Sequence, residues 1–159
     1  MWNRREPFLS HADAGRVRRV LFLNGMPAGE IEDAMQEIEL RALRRPPREG
    51  ARGVWASAVA TNLAMDRHRR VARADKVTTV HHVAPAAGDD ERFLLRDAVG
   101  RGLEGLGAEL RATLVLRFYA DFAVAEIASA MDVPEGTVKS RLHRAVAELR
   151  AVLPRETLR

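Results

Sequence analysis

The chain has no cysteine, only two lysines (Lys76 and Lys139), and no run of about 18 apolar residues. Without thiols it can form neither disulfides nor thiolate zinc sites, in keeping with a reducing compartment. Without a long apolar run it offers no candidate membrane-spanning helix. The opening "MWNRREPFLSHADAG" lacks the apolar stretch of a signal peptide, so the cytoplasm is the expected compartment and no direct membrane insertion is expected. Catalytic signatures are missing too. There is no phosphate-binding glycine loop and no nucleophile elbow. His81 and His82 are adjacent rather than four apart, with no glutamate between them as a helical zinc site requires. No metal, cofactor or small-molecule substrate is therefore expected, and the protein is not expected to be an enzyme.

What is present is basic and helical. The 159 residues are 47% hydrophobic, enough to bury a core in one or two small domains. The net charge is +4 and the pI near 10.5, which suits a polyanionic partner. Of 26 basic residues, 24 are arginine, whose planar fork grips phosphate and guanine well; a GC-rich genome would also favour arginine codons.

Ile31, Ala34, Met35, Ile38 and Ala42 recur at helical spacing and predict a helix from about Ala28 to Arg44, ended by Pro46 and Pro47. A shorter helix from Gly15 to Leu23 precedes it, closed by Asn24-Gly25. A long one follows from about Arg52 to Val71, with Trp55, Ala58, Val59, Asn62, Leu63 and Met65 spaced for a mostly buried inner side. Periodicity then vanishes between Ala72 and Gly88. A second block holds helices from Asp90 to Gly105, Ala108 to Tyr119, Val124 to Met131 and Glu135 to Leu153. No period-two strand pattern survives, so the expected fold is all-α: two small helical domains, 1–71 and 90–159, joined by a flexible linker at 72–89.

In the second block a short helix, the connection Asp132-Val133-Pro134 and a longer helix spell a helix-turn-helix. On the longer helix Val138, Leu142, Val146, Leu149 and Leu153 share an apolar sector. Ser140, His143 and Arg144 lie opposite, with Lys139 and Arg141 on the flanks. Amides at Gly136 and Thr137, expected to be free at the positive end of the helix, suit a phosphate. The outward edge is shaped for a major groove, although a solvated amphipathic helix would share the pattern.

The segment "AEIASAMDVPEGTVKSRLHRAVAELR" resembles region four of the extracytoplasmic-function sigma factors, which direct bacterial RNA polymerase to promoters. "EIEDAMQEIELRAL" resembles their region-two helix that docks on the polymerase β′ clamp helices, and "VWASAVATNLAMDRHRR" the helix that melts and reads the minus-ten element. The resemblance implies core RNA polymerase (β′ clamp helices and β flap), promoter DNA and an anti-sigma factor as partners. It implies polymerase contacts at Glu32, Asp33, Gln36 and Glu37. Minus-ten contacts fall at Asn62, Asp66, Arg69 and Arg70, and minus-thirty-five contacts at Thr137, Lys139, Ser140, Arg141, His143 and Arg144. Asn62 would receive a base flipped from the non-template strand, its amide offsetting a few kcal/mol of unstacking; a satisfied core amide is the alternative. Trp55 matches a family tryptophan and suits core packing better than base stacking.

Charge follows the same division. Residues 28–40 carry Glu30, Glu32, Asp33, Glu37 and Glu39 and no basic residue, whereas residues 41–76 carry ten basic residues against Glu49, Asp66 and Asp75. The first stretch should attract a basic protein surface and the second DNA. The chain departs from the family pattern in three ways: its opening helix is short, Ser57 stands where a tyrosine is common, and the linker is brief. Asp89, Asp90 and Glu91 suit a helix N-terminal cap or a mimic of nucleic acid. Two other functional classes fit parts of the sequence. An autonomous helix-turn-helix regulator leaves the acidic helix unexplained, and a decoy for an anti-sigma factor would not need Asn62 or Arg144.

Overall fold

The computed structural model describes residues 6–74 and 98–154, and every regular element among them is helical. Of the expected linker at 72–89, residues 72–74 are helical and belong to α3, while the rest, with His81-His82 and the acidic run at 89–91, lies outside the described residues. In chain order the helices are α1 (His11–Leu23), α2 (Ala28–Arg44), α3 (Arg52–Ala74), α4 (98–104 of the described residues), α5 (Ala108–Phe118), α6 (Val124–Met131) and α7 (Glu135–Val152).

The limits of α2 and α6 match the periodicity, and those of α5 and α7 fall one residue short of it, with Tyr119 and Leu153 as C-caps. α1 is longer than expected. It begins at His11, because Ser10 Oγ accepts the Asp13 amide at 3.1 Å and caps the first turn. Gly15, read as a boundary, sits within the helix. At the other end the Met26 amide reaches the Leu21 carbonyl and the Gly25 amide that of Phe22. With Gly25 at φ 83°, this is a Schellman turn. α3 runs to Ala74, three residues beyond the expected end.

α3 is the central element, packing on α1, α2, α5 and α6. Its buried side is Ala56, Ser57, Ala60, Thr61, Ala64 and Met65; of the residues expected there, Met65 is buried, whereas Trp55, Ala58, Val59, Asn62 and Leu63 are only partly covered. Alanines at i, i+4 and i+8 let neighbouring helices approach closely. Trp55, Ala58, Val59 and Leu63 flank this line, partly buried against the core. Trp55 meets Phe8 edge-on, ring centroids 5.8 Å apart, and Ser57 is buried with its carbonyl accepting the Thr61 hydroxyl.

One apolar cluster crosses the whole molecule. Val17, Val20 and Leu21 of α1, Ile38 of α2 and the α3 alanines join Val115 and Leu116 of α5, Phe122, Ile127 of α6 and Val138 of α7. Full burial of each large aliphatic is worth roughly 1.5–3 kcal/mol, so the two helical blocks share a core. A smaller cluster of Leu103, Leu106, Leu114 and Ala145 holds α4 and α5 to α7. Gly102 allows that packing, since a side chain there would collide with Leu149.

Candidate nucleic-acid and polymerase interface

The helix-turn-helix is built by backbone chemistry at two turns. Between α5 and α6, Asp121 adopts a left-handed conformation (φ 58°) and the Arg117 guanidinium donates to the Phe122 carbonyl at 2.9 Å. The Glu126 carboxylate then accepts the Ala123 amide at 2.7 Å and fixes the start of α6. Between α6 and α7, Asp132 is again left-handed (φ 52°), which a short polar side chain tolerates, and the Val133 amide returns to the Ala128 carbonyl. Pro134 opens α7. The Thr137 amide, expected to be free for phosphate, donates to the Pro134 carbonyl at 3.0 Å, because the first turn tightens on the carbonyl of the cap.

Ile127 and Val138 are fully buried where α6 crosses α7. Ala145, not assigned to the apolar sector, is also fully buried, while Leu142, Val146 and Leu149 are partly covered. This rotation leaves Lys139, Ser140, His143 and Arg144 exposed along the outer edge of α7. Arg144 is 73% exposed and, among the described residues, pairs along its own helix with Glu148 at 2.8 Å. Arg141 differs: it is 18% exposed and its Nη2 donates to Glu109 of α5 at 3.0 Å. Thr137 is partly buried at the start of the helix.

In the first block, α2 and α3 enclose an open cleft of about 540 Å³. Arg41 and Glu37 of α2 face Asp66, Arg69, Arg70 and Arg73 of α3 around Leu63. Asp66, Arg69 and Arg70 were singled out in the sequence; Arg41 and Arg73 were not, although Asp66, Arg69, Arg70 and Arg73 fall at i, i+3, i+4 and i+7 on one face. Two ion pairs line it, Glu37–Arg41 at 2.7 Å and Asp66–Arg69 at 3.0 Å. Glu37, expected on the polymerase side, stands at the edge of this arginine-rich cleft. Asn62 lies one turn before Asp66, but its Nδ2 donates to the Ala130 carbonyl of α6 at 3.1 Å. In this conformation it is a bonded amide at the junction of the two blocks.

The acidic stretch of α2 is largely compensated within the chain. Glu32 accepts from Arg18 of α1 at 2.7 Å and Glu30 from Arg67 of α3 at 2.6 Å. These guanidinium hydrogen bonds, with that of Arg41 to Glu37, hold the carboxyls of Glu32, Glu30 and Glu37 below the ordinary glutamate range; the bond to Glu32 likewise raises Arg18. Asp33 and Gln36 are exposed, and among the described residues neither forms an ion pair or side-chain hydrogen bond. Among the described residues no group of three or more His, Asp or Glu side chains could hold a metal ion, and no helix is long and apolar enough to cross a membrane.

Residues 96–149 match the family model described as Sigma-70, region 4. The ECF RNA polymerase sigma factor SigL of Mycobacterium tuberculosis is 36% identical over 150 residues, covering 86% of this chain and 81% of its own. SigM of the same organism is 31% identical over 141 residues, covering 87% and 71%. In Escherichia coli the ECF RNA polymerase sigma-E factor is 28% identical over 137 residues, covering 76% and 72%. The fold is shared with the sigma factor RpoE of Bartonella quintana, solved in complex with the anti-sigma factor NepR, at a TM-score of 0.65 and 20% identity over 89% of this chain and 91% of that one. With region 4 matched on its helix-turn-helix and SigL aligned across both helical blocks, the chain belongs to the ECF RNA polymerase sigma factors.

Proposed function

We propose that the chain binds core RNA polymerase and directs it to a specific class of promoters, acting in the cytoplasm and performing no catalysis of its own. The observation that carries this reading is the outer edge of α7, where Lys139, Ser140, His143 and Arg144 stand exposed on a helix-turn-helix whose buried side is apolar. That edge suits the upstream promoter element. Thr137 and Arg141 flank it, and the Arg141 guanidinium would exchange Glu109 for a phosphate. The downstream element falls to α3, with Asn62 taking a flipped base and Asp66, Arg69 and Arg70 lining the strand's path through the cleft.

Residues 1–74, which carry α3 to its end, form the downstream-element unit, and 90–159 the upstream-element unit. Polymerase docks on α2 through Asp33 and Gln36, which are open, and through Glu32 and Glu37 once they exchange Arg18 and Arg41 for basic groups of the β′ subunit. Both pairs are open to solvent, which screens them, so the exchange costs little. An anti-sigma factor is the expected regulator, a reading supported by the fold shared with a sigma factor crystallised with one.

Run-off transcription with purified core polymerase tests the function. Promoter-specific transcripts should appear only when the chain is present. Tight, sequence-specific duplex binding by the chain alone, with no effect on polymerase, would instead make it an autonomous regulator.

A further inference from the structure

The cleft between α2 and α3 holds more positive charge than it compensates. Arg41, Arg69, Arg70 and Arg73 face the carboxylates of Glu37 and Asp66, so four guanidiniums against two acids leave a formal charge of +2 around about 540 Å³. The acids fix two of the arginines without exhausting them. Arg41 gives its Nε–H to Glu37 and Arg69 one Nη1–H to Asp66, while a guanidinium carries five donors. Arg70 and Arg73 are exposed and form no ion pair or side-chain hydrogen bond among the described residues; Glu30, which accepts from Arg67, senses Arg70 only at a distance. Partly buried Leu63 adds an apolar wall, and charge of one sign beside a low-dielectric wall focuses the field on an anion.

We propose that this cleft is a regulatory site for a linear oligophosphate, an inorganic chain or the polyphosphate tail of a nucleotide, which competes with the promoter strand for Arg69 and Arg70. The competition rests on the strand path assigned to the cleft; the binding does not. Charge density selects the ligand class. Arg69, Arg70 and Arg73 fall within about 6 Å of helix axis, at about 1.5 Å per residue, and Arg41 faces them from α2. A nucleic-acid strand brings roughly one or two negative charges to that length, whereas linked phosphates bring several. Guanidinium forks match phosphate oxygens in bidentate geometry, which lysines would not. A single sulfate or orthophosphate cannot engage the arginines of both walls at once. Because side chains rather than backbone amides line the cleft, no glycine-loop motif marks it in the sequence.

Calorimetric titration of the free chain with inorganic tripolyphosphate, in magnesium-free buffer at physiological ionic strength, tests the site without promoter or polymerase. Tripolyphosphate should bind roughly tenfold or more tightly than sulfate at matched ionic strength. Arg70→Gln with Arg73→Gln should lower that affinity roughly tenfold or more. Arg16→Gln with Arg19→Gln, on α1, should leave it within about twofold of wild type. All four side chains are exposed, so both variants should fold, as melting curves will show. No preference over sulfate, or an equal loss in the two variants, would overturn the proposal. ATP in place of tripolyphosphate identifies the source: comparable binding assigns the nucleotide tail, weaker binding the inorganic chain, and either upholds the site. Promoter-complex formation by holoenzyme should fall with added tripolyphosphate further than it does for holoenzyme carrying another sigma factor; an equal fall sinks the competition. A chain that binds tripolyphosphate yet drives no promoter-specific transcription upholds the site and sinks the promoter reading. One that transcribes but binds tripolyphosphate no better than sulfate sinks the oligophosphate site alone.

Discussion

The side-chain amide of Asn62, on the longest helix of the first block, donates to the backbone carbonyl of Ala130, in the helix-turn-helix of the second, across 3.1 Å. The carbonyl would otherwise lie close to the end of α6, where acceptors lack intrahelical partners. The bond therefore satisfies both blocks and ties Asn62, the residue proposed to receive a promoter base, to their junction.

Asn62→Ala should consequently have two separable effects. Losing one partly buried hydrogen bond lowers stability by about 0.5–1.5 kcal/mol, read as a drop in melting temperature. Losing the base-receiving amide lowers discrimination at one downstream promoter position by about 1–3 kcal/mol, read by transcription from a library randomised there. Unchanged base preference would remove Asn62 from promoter reading and leave it a junction amide.

The exposed carboxylates of α2 make the polymerase assignment testable. Asp33→Arg with Glu37→Arg reverses two charges one turn apart, and like charge against a basic partner costs several kcal/mol. Co-purification with core polymerase should be lost. The fold should be retained, since Asp33 forms no ion pair among the described residues and the Glu37–Arg41 pair is half exposed. Co-purification at wild-type levels would move the docking face elsewhere.

The sequence displayed some of this because local chemistry wrote it there. The α2 stripe, its proline stop and the Pro134 start of α7 are all short-range signals, and they place those helices to within a residue. α1 was under-read because Gly15 outweighed the cap signal three residues apart at Ser10 and Asp13. The inner face of α3 is rotated from the one the spacing of Trp55, Ala58, Val59, Asn62, Leu63 and Met65 predicts, and only Met65 is common to both. Where helices cross closely, small Ala56, Ala60 and Ala64 go inside and larger Trp55, Val59 and Leu63 go to the flanks. The junction of the two blocks had no local signature at all. Arg111 in "AELRATLVLRF" reads as a solvated position on an amphipathic helix, yet it is buried with its guanidinium against the distant Gly25 turn.

Acid should loosen the first block through Glu30. The hydrogen bond from Arg67 is the largest influence lowering its pKa, so the pair contributes stability that is present above the ordinary glutamate value of 4.5 and is lost as pH falls through the lower folded value. With the Glu30 side chain half exposed, solvent screening limits the contribution to well under about 1 kcal/mol. Melting followed from pH 7 to pH 3 should show a small acid-dependent component that Glu30→Gln removes. An identical pH profile in the variant would show that the α2–α3 bridge adds nothing.

The two arginines of α7 should fail differently. Arg144 is 73% exposed and held only by Glu148 on its own helix, so its fork can turn toward base edges at little cost. Arg144→Ala should cost roughly 1–3 kcal/mol of discrimination at one or two upstream base pairs and leave stability within about 0.5 kcal/mol of wild type. Arg141 is mostly covered and bridges α7 to Glu109 of α5. Its removal should weaken all promoters alike and lower the salt slope of binding by about one unit, the signature of a phosphate contact. It should also reduce melting stability by up to about 1 kcal/mol, because the α5–α7 bridge goes with it. Holoenzyme transcription from a library randomised in the upstream element, with thermal melting of each variant, reads all three quantities. If Arg144→Ala leaves base preference intact while Arg141→Ala alters it, α7 enters the groove by its Glu109-facing edge, and the outward edge assigned here reads nothing.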